Sequence, residues 1–249
     1  MKRRNLLTAL FLLLAVCALA LGIAAVRRAQ RLPSSAGVRV PVLMYHAVGD
    51  DCWGEESLFV KPEELEKQLQ YLSENGYETI FFEDLSHIEQ YEKPVLLTFD
   101  DGYDDNAETL LPLLRKYGMK ATVFLIAGDV GKPHKLTRAE LVQSGLVSIQ
   151  SHGWSHRNMA ALSPLALLWE LVRSQSAIFT LTGRFPVALS YPNGNSSART
   201  RKIASWFYTY GVRTCTGVYE TGSDPLLIER ITVSRDTTLD EFKRELEIP

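Results

Sequence analysis

Cysteine is scarce, with three in 249 residues. Cys17 lies inside an apolar run, so only Cys52 and Cys215 remain outside it. Two cysteines so far apart in sequence make no disulfide framework, and they read as unpaired thiols. Charge and proline are both absent from residues 6–26. At about 1.5 Å per helical residue this run spans roughly 31 Å, the thickness of a bilayer's hydrocarbon core. It is therefore expected to be a single transmembrane anchor after a cytoplasmic N-terminus of residues 1–5. The alternative is a cleaved secretory signal, although the apolar part of such signals is usually only about 7–15 residues. Acidic residues are missing from residues 1–31, which hold six Lys and Arg. The remainder carries 21 basic against 29 acidic residues, a balance of −8. That sign repels polyanions and argues against nucleic acid as a partner. Arg3 and Arg4 face Arg27 and Arg28 across the run. Charge bias therefore does not orient the anchor. So few residues precede it that the rest of the chain is expected outside the cell membrane, or secreted if the segment is cleaved.

There is no short-period repeat and no low-complexity tract. Residues 27–39 mix small, polar and breaker residues and read as a linker. Residues 40–249 are long enough for one large domain, not two. Apolar runs of strand length fall at 40–45, 77–82, 95–99, 121–126, 146–149 and 187–190. Helical patterns lie between them at 62–75, 106–117, 137–144, 163–182 and 197–210, with Gly76, Gly118, Gly145 and Gly211 just before strands. Strands alternating with helices imply parallel pairing. Seven or eight such units favour an α/β fold of the distorted (β/α) barrel kind, with chemistry at the carboxyl ends of the strands.

Candidate chemistry sits at those ends. Asp100 and Asp101 follow the run Pro94-Val95-Leu96-Leu97-Thr98-Phe99, His152 and His156 follow 147–150, and His46 follows 42–45. Each has a plain alternative. Asp-Asp-Gly is a common turn, and Ser-His-Gly in a polar loop can be one too. Asp104-Asp105-Asn106 reads as the N-cap of the following helix. The Glu that would follow His152 in a helical zinc protease is lacking, as are the spaced acids of a calcium loop. Yet three of only five histidines fall at strand ends, a concentration that favours a site. A carboxylate pair with a histidine pair supplies a base and three metal ligands, the ingredients of metal-assisted hydrolysis.

Thr98-Phe99-Asp100-Asp101-Gly102-Tyr103 and His152-x-x-x-His156 resemble the first two signature motifs of the polysaccharide deacetylases, carbohydrate esterase family four, also called the NodB-homology domain. Pro41-Val42-Leu43-Met44-Tyr45-His46 and Glu92-Lys93-Pro94-Val95-Leu96-Leu97-Thr98 resemble the poly-N-acetylglucosamine deacetylase branch, and the likeness runs from about 41 to 233. The resemblance implies that Asp101, His152 and His156 hold a divalent metal, with zinc the best match and cobalt, nickel or iron also compatible. It implies Asp100 as the general base and His46 as the acid that protonates the departing amine. The third motif of the family, Arg-Pro-Pro-Tyr-Gly, is matched by Ser190-Tyr191-Pro192-Asn193-Gly194. Ser190 thus replaces the arginine that orients the base, and Arg230 is the candidate replacement, with a surface arginine on an edge strand as the alternative. Asn193 would offer a backbone N–H to the oxyanion. Tyr191 and Tyr103 are the candidate sugar contacts, and Trp154 is expected to pack behind the metal. The terminal Leu-x-x-His motif is missing, in keeping with His46. His87 and His134 read as surface residues and Trp169 as core. The function implied is N-deacetylation of an N-acetylglucosamine-containing polysaccharide. O-deacetylation of a glycan such as acetylxylan, or a silent carbohydrate-binding surface module, are the alternatives.

Overall fold

The computed structural model describes residues 37–140 and 145–247. The expected anchor at 6–26 and most of the linker lie outside them. Among the described residues, no helix is long and apolar enough to cross a membrane.

Seven parallel strands form the centre: β1 (Val42–Tyr45), β2 (Pro94–Asp101), β3 (Ala121–Leu125), β4 (Val147–Ser151), β5 (Ala188–Ser190), β6 (Tyr210–Val212) and β7 (Ile231–Thr232). Their order is β6-β5-β4-β3-β2-β1-β7, with Glu78–Thr79 pairing alongside the start of β2. Five helices accompany them: α1 (Pro62–Glu74), α2 (Leu111–Tyr117), α3 (Pro164–Thr182), α4 (Ala198–Ala204) and α5 (Leu239–Glu247). The fold is α/β with a parallel sheet curled toward a barrel. The curl is tied at the sheet's two ends by one segment. Ile228 exchanges backbone hydrogen bonds with Gly211 and Arg213 beside β6, and three residues later the same segment pairs with β1.

Alternation along β2 explains the layering. Val95, Leu97 and Phe99 pack outward with Leu65, Leu69 and Leu72 of α1 and with Leu114 of α2. Leu96 packs inward with Val42, Phe82, Phe124, Tyr210 and Val212. Thr98 and Asp100 continue the inward row, so the inner face of β2 turns polar near its carboxyl end.

Several expected boundaries move. The pattern at 197–210 is helical only to Ala204, because Tyr210 joins β6 and pairs with Ala188. The expected strand at 77–82 shrinks to Glu78–Thr79, and Phe82 begins a run of tight helical turns. Of the helix expected at 137–144, residues 137–140 form only a turn and 141–144 lie outside the described residues. Asp105 stands at the cap position of the helix at 106 but makes no side-chain capping bond. Its carboxylate instead accepts from Asn106 Nδ2 at 2.7 Å, and burial pushes it up to about 7. Trp169, expected in the core, is 60% exposed.

Candidate metal centre

Successive residues of a strand point to opposite faces, so Asp100 and Asp101 should diverge. They converge because Asp101 adopts a left-handed φ of 73° and Gly102 follows at 65°. The backbone reverses at the end of β2 and turns the second carboxylate back over the rim. Lys135 holds the reversal, its Nζ donating to the Asp101 carbonyl at 3.2 Å while lying over the Tyr103 ring. Tyr103 donates its hydroxyl to Asp101 Oδ2 at 2.8 Å.

The other carboxylate oxygen, Asp101 Oδ1, is buried and accepts no hydrogen bond. It lies 3.5 Å from His152 Nε2 and 3.6 Å from His156 Nε2. Two donors each 2.0–2.1 Å from a tetrahedral ion lie roughly 3.4 Å apart, so these separations suit one shared cation. The three ligand atoms are all within 4.8 Å of one another. An orphaned carboxylate oxygen facing two imidazole nitrogens is the donor set a divalent metal takes, and the residues fit it. His152 Nδ1 is 2.8 Å from the Ser190 carbonyl, which sets the tautomer with a proton on Nδ1 and leaves Nε2 with its lone pair. Burial pushes the His152 imidazole below its ordinary value, against the pull of both aspartates, and so keeps it neutral.

Asp100 occupies the inner face beneath. Arg230 meets it in a two-pronged pair, Nη1 to Oδ1 at 2.8 Å and Nη2 to Oδ2 at 2.7 Å. The remaining guanidinium donors reach the Arg213 carbonyl, Thr98 Oγ1 and Ser190 Oγ. All five N–H groups of a fully buried arginine are thus used. Ser190 also donates to Asp100 at 3.0 Å. Burial alone would raise the Asp100 carboxyl, but Arg230, His152 and His46 outweigh it and hold it well below the usual carboxylate range. Asp101 is lowered likewise, with burial opposed by His152 and Lys135. The structure therefore brings Arg230 to Asp100, and Ser190 supplies a hydroxyl and a carbonyl where an arginine was expected.

His46 is half-buried at the end of β1, within the electrostatic reach of Asp100, Asp101, Arg230 and His156. Burial lowers its imidazole, an effect the two aspartates only partly offset. Asn193 is exposed at a left-handed turn, φ 58°. Tyr191 is a correction. It is fully buried among Leu189, Tyr208 and Phe207, and its ring is closed to any sugar. Tyr103 is half-buried, its hydroxyl tied to Asp101 and its ring covered on one side by Lys135. The exposed aromatic beside the centre is Trp53, 43% exposed, stacked on His134 at 4.2 Å and edge-on to Tyr103 at 4.9 Å. His134 is thus half of an aromatic stack. Trp154 is half-buried, with the Arg173 guanidinium 3.9 Å over its ring. Among the described residues, Cys52 and Cys215 form no disulfide.

Two further residues were not visible in the sequence. Glu170, in the middle of α3, is buried and grips the loop between the two histidines. Thr98 ties the strands, donating to the Leu43 carbonyl at 2.7 Å while accepting from Arg230.

Comparison with known proteins gives consistent results. A family profile described as polysaccharide deacetylase matches residues 87–210. YxkH of Bacillus subtilis strain 168, whose own naming as a polysaccharide deacetylase is provisional, is 35% identical over 205 residues, covering 79% of this chain and 72% of YxkH. The peptidoglycan-N-acetylglucosamine deacetylase PgdA of Listeria monocytogenes is 31% identical over 103 residues, covering 41% of this chain and 22% of PgdA. Among solved structures, the Streptococcus pyogenes deacetylase PplD in complex with acetate superposes with a TM-score of 0.79 at 26% identity, covering 85% of this chain and all of that one.

Proposed function

Because the chain belongs to the polysaccharide deacetylase family, we propose that it hydrolyses the N-acetyl groups of an N-acetylglucosamine-containing polysaccharide, outside the membrane and with zinc as its metal. Metal-dependent deacetylation is the family's activity, and the Asp101, His152 and His156 cluster is the part of this chain that would hold the ion. The choice of N-acetylglucosamine rests on the sequence likeness to PgdA, and the extracytoplasmic placement rests on the apolar run 6–26.

A divalent ion in that cluster would supply Lewis acidity toward the acetamide carbonyl and acidify water. The chain's own residues supply the rest. Asp100, held ionised by Arg230, is a standing proton acceptor for the attacking water across the neutral range. His46, in its protonated form, gives a proton to the nitrogen as the C–N bond breaks, leaving acetate and a free amino sugar. Asn193, at its left-handed turn, offers a backbone N–H donor to the oxyanion. Trp53 replaces Tyr191 as the face on which a neighbouring sugar ring stacks.

The observation that carries this reading is Asp101 Oδ1, buried, without a donor, and facing two imidazole nitrogens. The experiment is acetate release from chitooligosaccharide, poly-β-1,6-N-acetylglucosamine and peptidoglycan beside acetylated xylan, each with and without chelator. Release from at least one N-acetylated glycan, lost with chelator and restored by zinc, is expected. Release from acetylated xylan alone would replace the amide reading with an ester one.

A further inference from the structure

The loop 152–156 carries two ligands on five residues and holds an unusual backbone, with left-handed φ at Gly153 (81°) and at His156 (55°). A non-glycine residue in that region is strained by of order 1–3 kcal/mol unless its surroundings over-determine it. Here they do so from beneath. Two successive backbone N–H groups, those of Trp154 and Ser155, turn toward α3, while that of Gly153 turns back to the end of its own strand. Gly153 donates to Ser151 Oγ at 3.1 Å, and Trp154 and Ser155 both donate to Glu170 Oε2, at 3.2 and 3.0 Å. The other oxygen, Oε1, accepts the Ser155 hydroxyl at 2.6 Å. Successive N–H groups of this kind form an anion-binding nest, and the anion in it is a side chain of the protein itself.

Glu170 is 4% exposed, and no Lys, Arg or His ion pair to it exists among the described residues. A buried carboxylate without a cation is expensive unless hydrogen bonds satisfy it, and these three do. Position 170 lies beyond the first turn of α3, so the helix dipole does not account for it. Room for the arrangement is made by Gly153, where a Cβ would come 2.8 Å from the Met159 methyl and 3.8 Å from Glu170 Oε2.

We propose that Glu170 is a positioning residue for the metal centre: it fixes the loop so that His152 and His156 present Nε2 to one point. The inference rests on the metal reading above, and the two can fail separately. The test is metal affinity, read without substrate. Zinc and cobalt Kd values are measured by competition with a chromophoric chelator for wild type, Glu170→Gln and Glu170→Ala. Alanine leaves the nest empty, and about 10- to 100-fold weaker binding is expected. Glutamine keeps the shape with one acceptor oxygen, and a smaller loss is expected. The lost activity should return at saturating metal. If the alanine variant does not fold, the isosteric glutamine variant decides. A folded variant that melts earlier yet binds metal within twofold of wild type would show a purely structural role and overturn the proposal. Wild type that binds no divalent ion would overturn the metal reading, and this one with it.

Discussion

Replacing Arg230 by methionine tests the electrostatic plan of the centre most directly. The side chain is fully buried and its five donors serve Asp100 twice, Thr98, Ser190 and the Arg213 carbonyl. Methionine keeps much of the volume and removes every donor. Breaking a buried ion pair from one side costs about 3–5 kcal/mol, because the other charge stays buried without compensation. At a urea m-value of about 2 kcal/mol/M, the unfolding midpoint should fall by about 1.5–2.5 M. The pH dependence is more telling than the size. In wild type the folded Asp100 carboxyl lies below its unfolded value of about 3.9, so its stabilisation is present above that pH and is lost only as pH falls through the folded value. In the variant the burial effect, which raises the carboxyl, loses its chief opponent. The folded value then rises above the unfolded one, and ionisation opposes folding as pH increases. The stability gap between the two proteins should therefore be widest near pH 7 and narrow toward pH 4. The measurement is urea unfolding of both proteins in chelator at several pH values. A gap below about 1 kcal/mol, or one that does not change between pH 7 and 4, would refute the reasoning. The acid limb of kcat/KM should also move up in the variant, since the base protonates more readily.

Three other outcomes follow from the same geometry. His46→Ala should lower turnover by about 100- to 10,000-fold with bound metal unchanged; loss of metal, measured by elemental analysis, would make it a ligand. Tyr191→Phe should leave stability within about 1 kcal/mol and KM for oligomers unchanged, because the hydroxyl is buried and has no hydrogen-bond partner. The reverse is expected at Trp53→Ala, where KM for a tetramer should rise about 3- to 10-fold with hydrolysis of a small aryl acetate untouched. An unchanged tetramer KM would remove Trp53 from the substrate path.

The sequence made Asp100, Asp101, His152 and His156 legible because their meaning is local: two short motifs at the ends of apolar runs. It did not show how neighbouring aspartates share one site, since that depends on the left-handed turn at Asp101. Arg230 could be named only as a candidate, because its approach depends on how a late segment docks across the sheet's ends. Glu170 was silent for a different reason. A lone acid in a helix usually marks a solvated face, and only the packing of α3 against the histidine loop turns it inward. Tyr191 misled because proximity in a motif says nothing of side-chain direction; its backbone pairs with Val212 while the ring drops under α3 and α4. The helix expected to run to 210 failed where Tyr210 found a strand partner, and tertiary pairing overrode the periodicity.

The segment that ties the sheet's ends also sets an order of events for the chain as it is made. Asp100 and Arg230 are 130 residues apart, and the residues that bind the guanidinium come from β2, β5 and the stretch after β6. Contacts of such long range form late in folding, after the loop entropy of closing them has been met. Until Arg230 leaves the ribosome, Asp100 has no counter-charge and the interior around it cannot close. Docking of this segment ties the sheet's ends and gives Asp100 its partner together, so a chain truncated before Arg230 should be both unstable and inert.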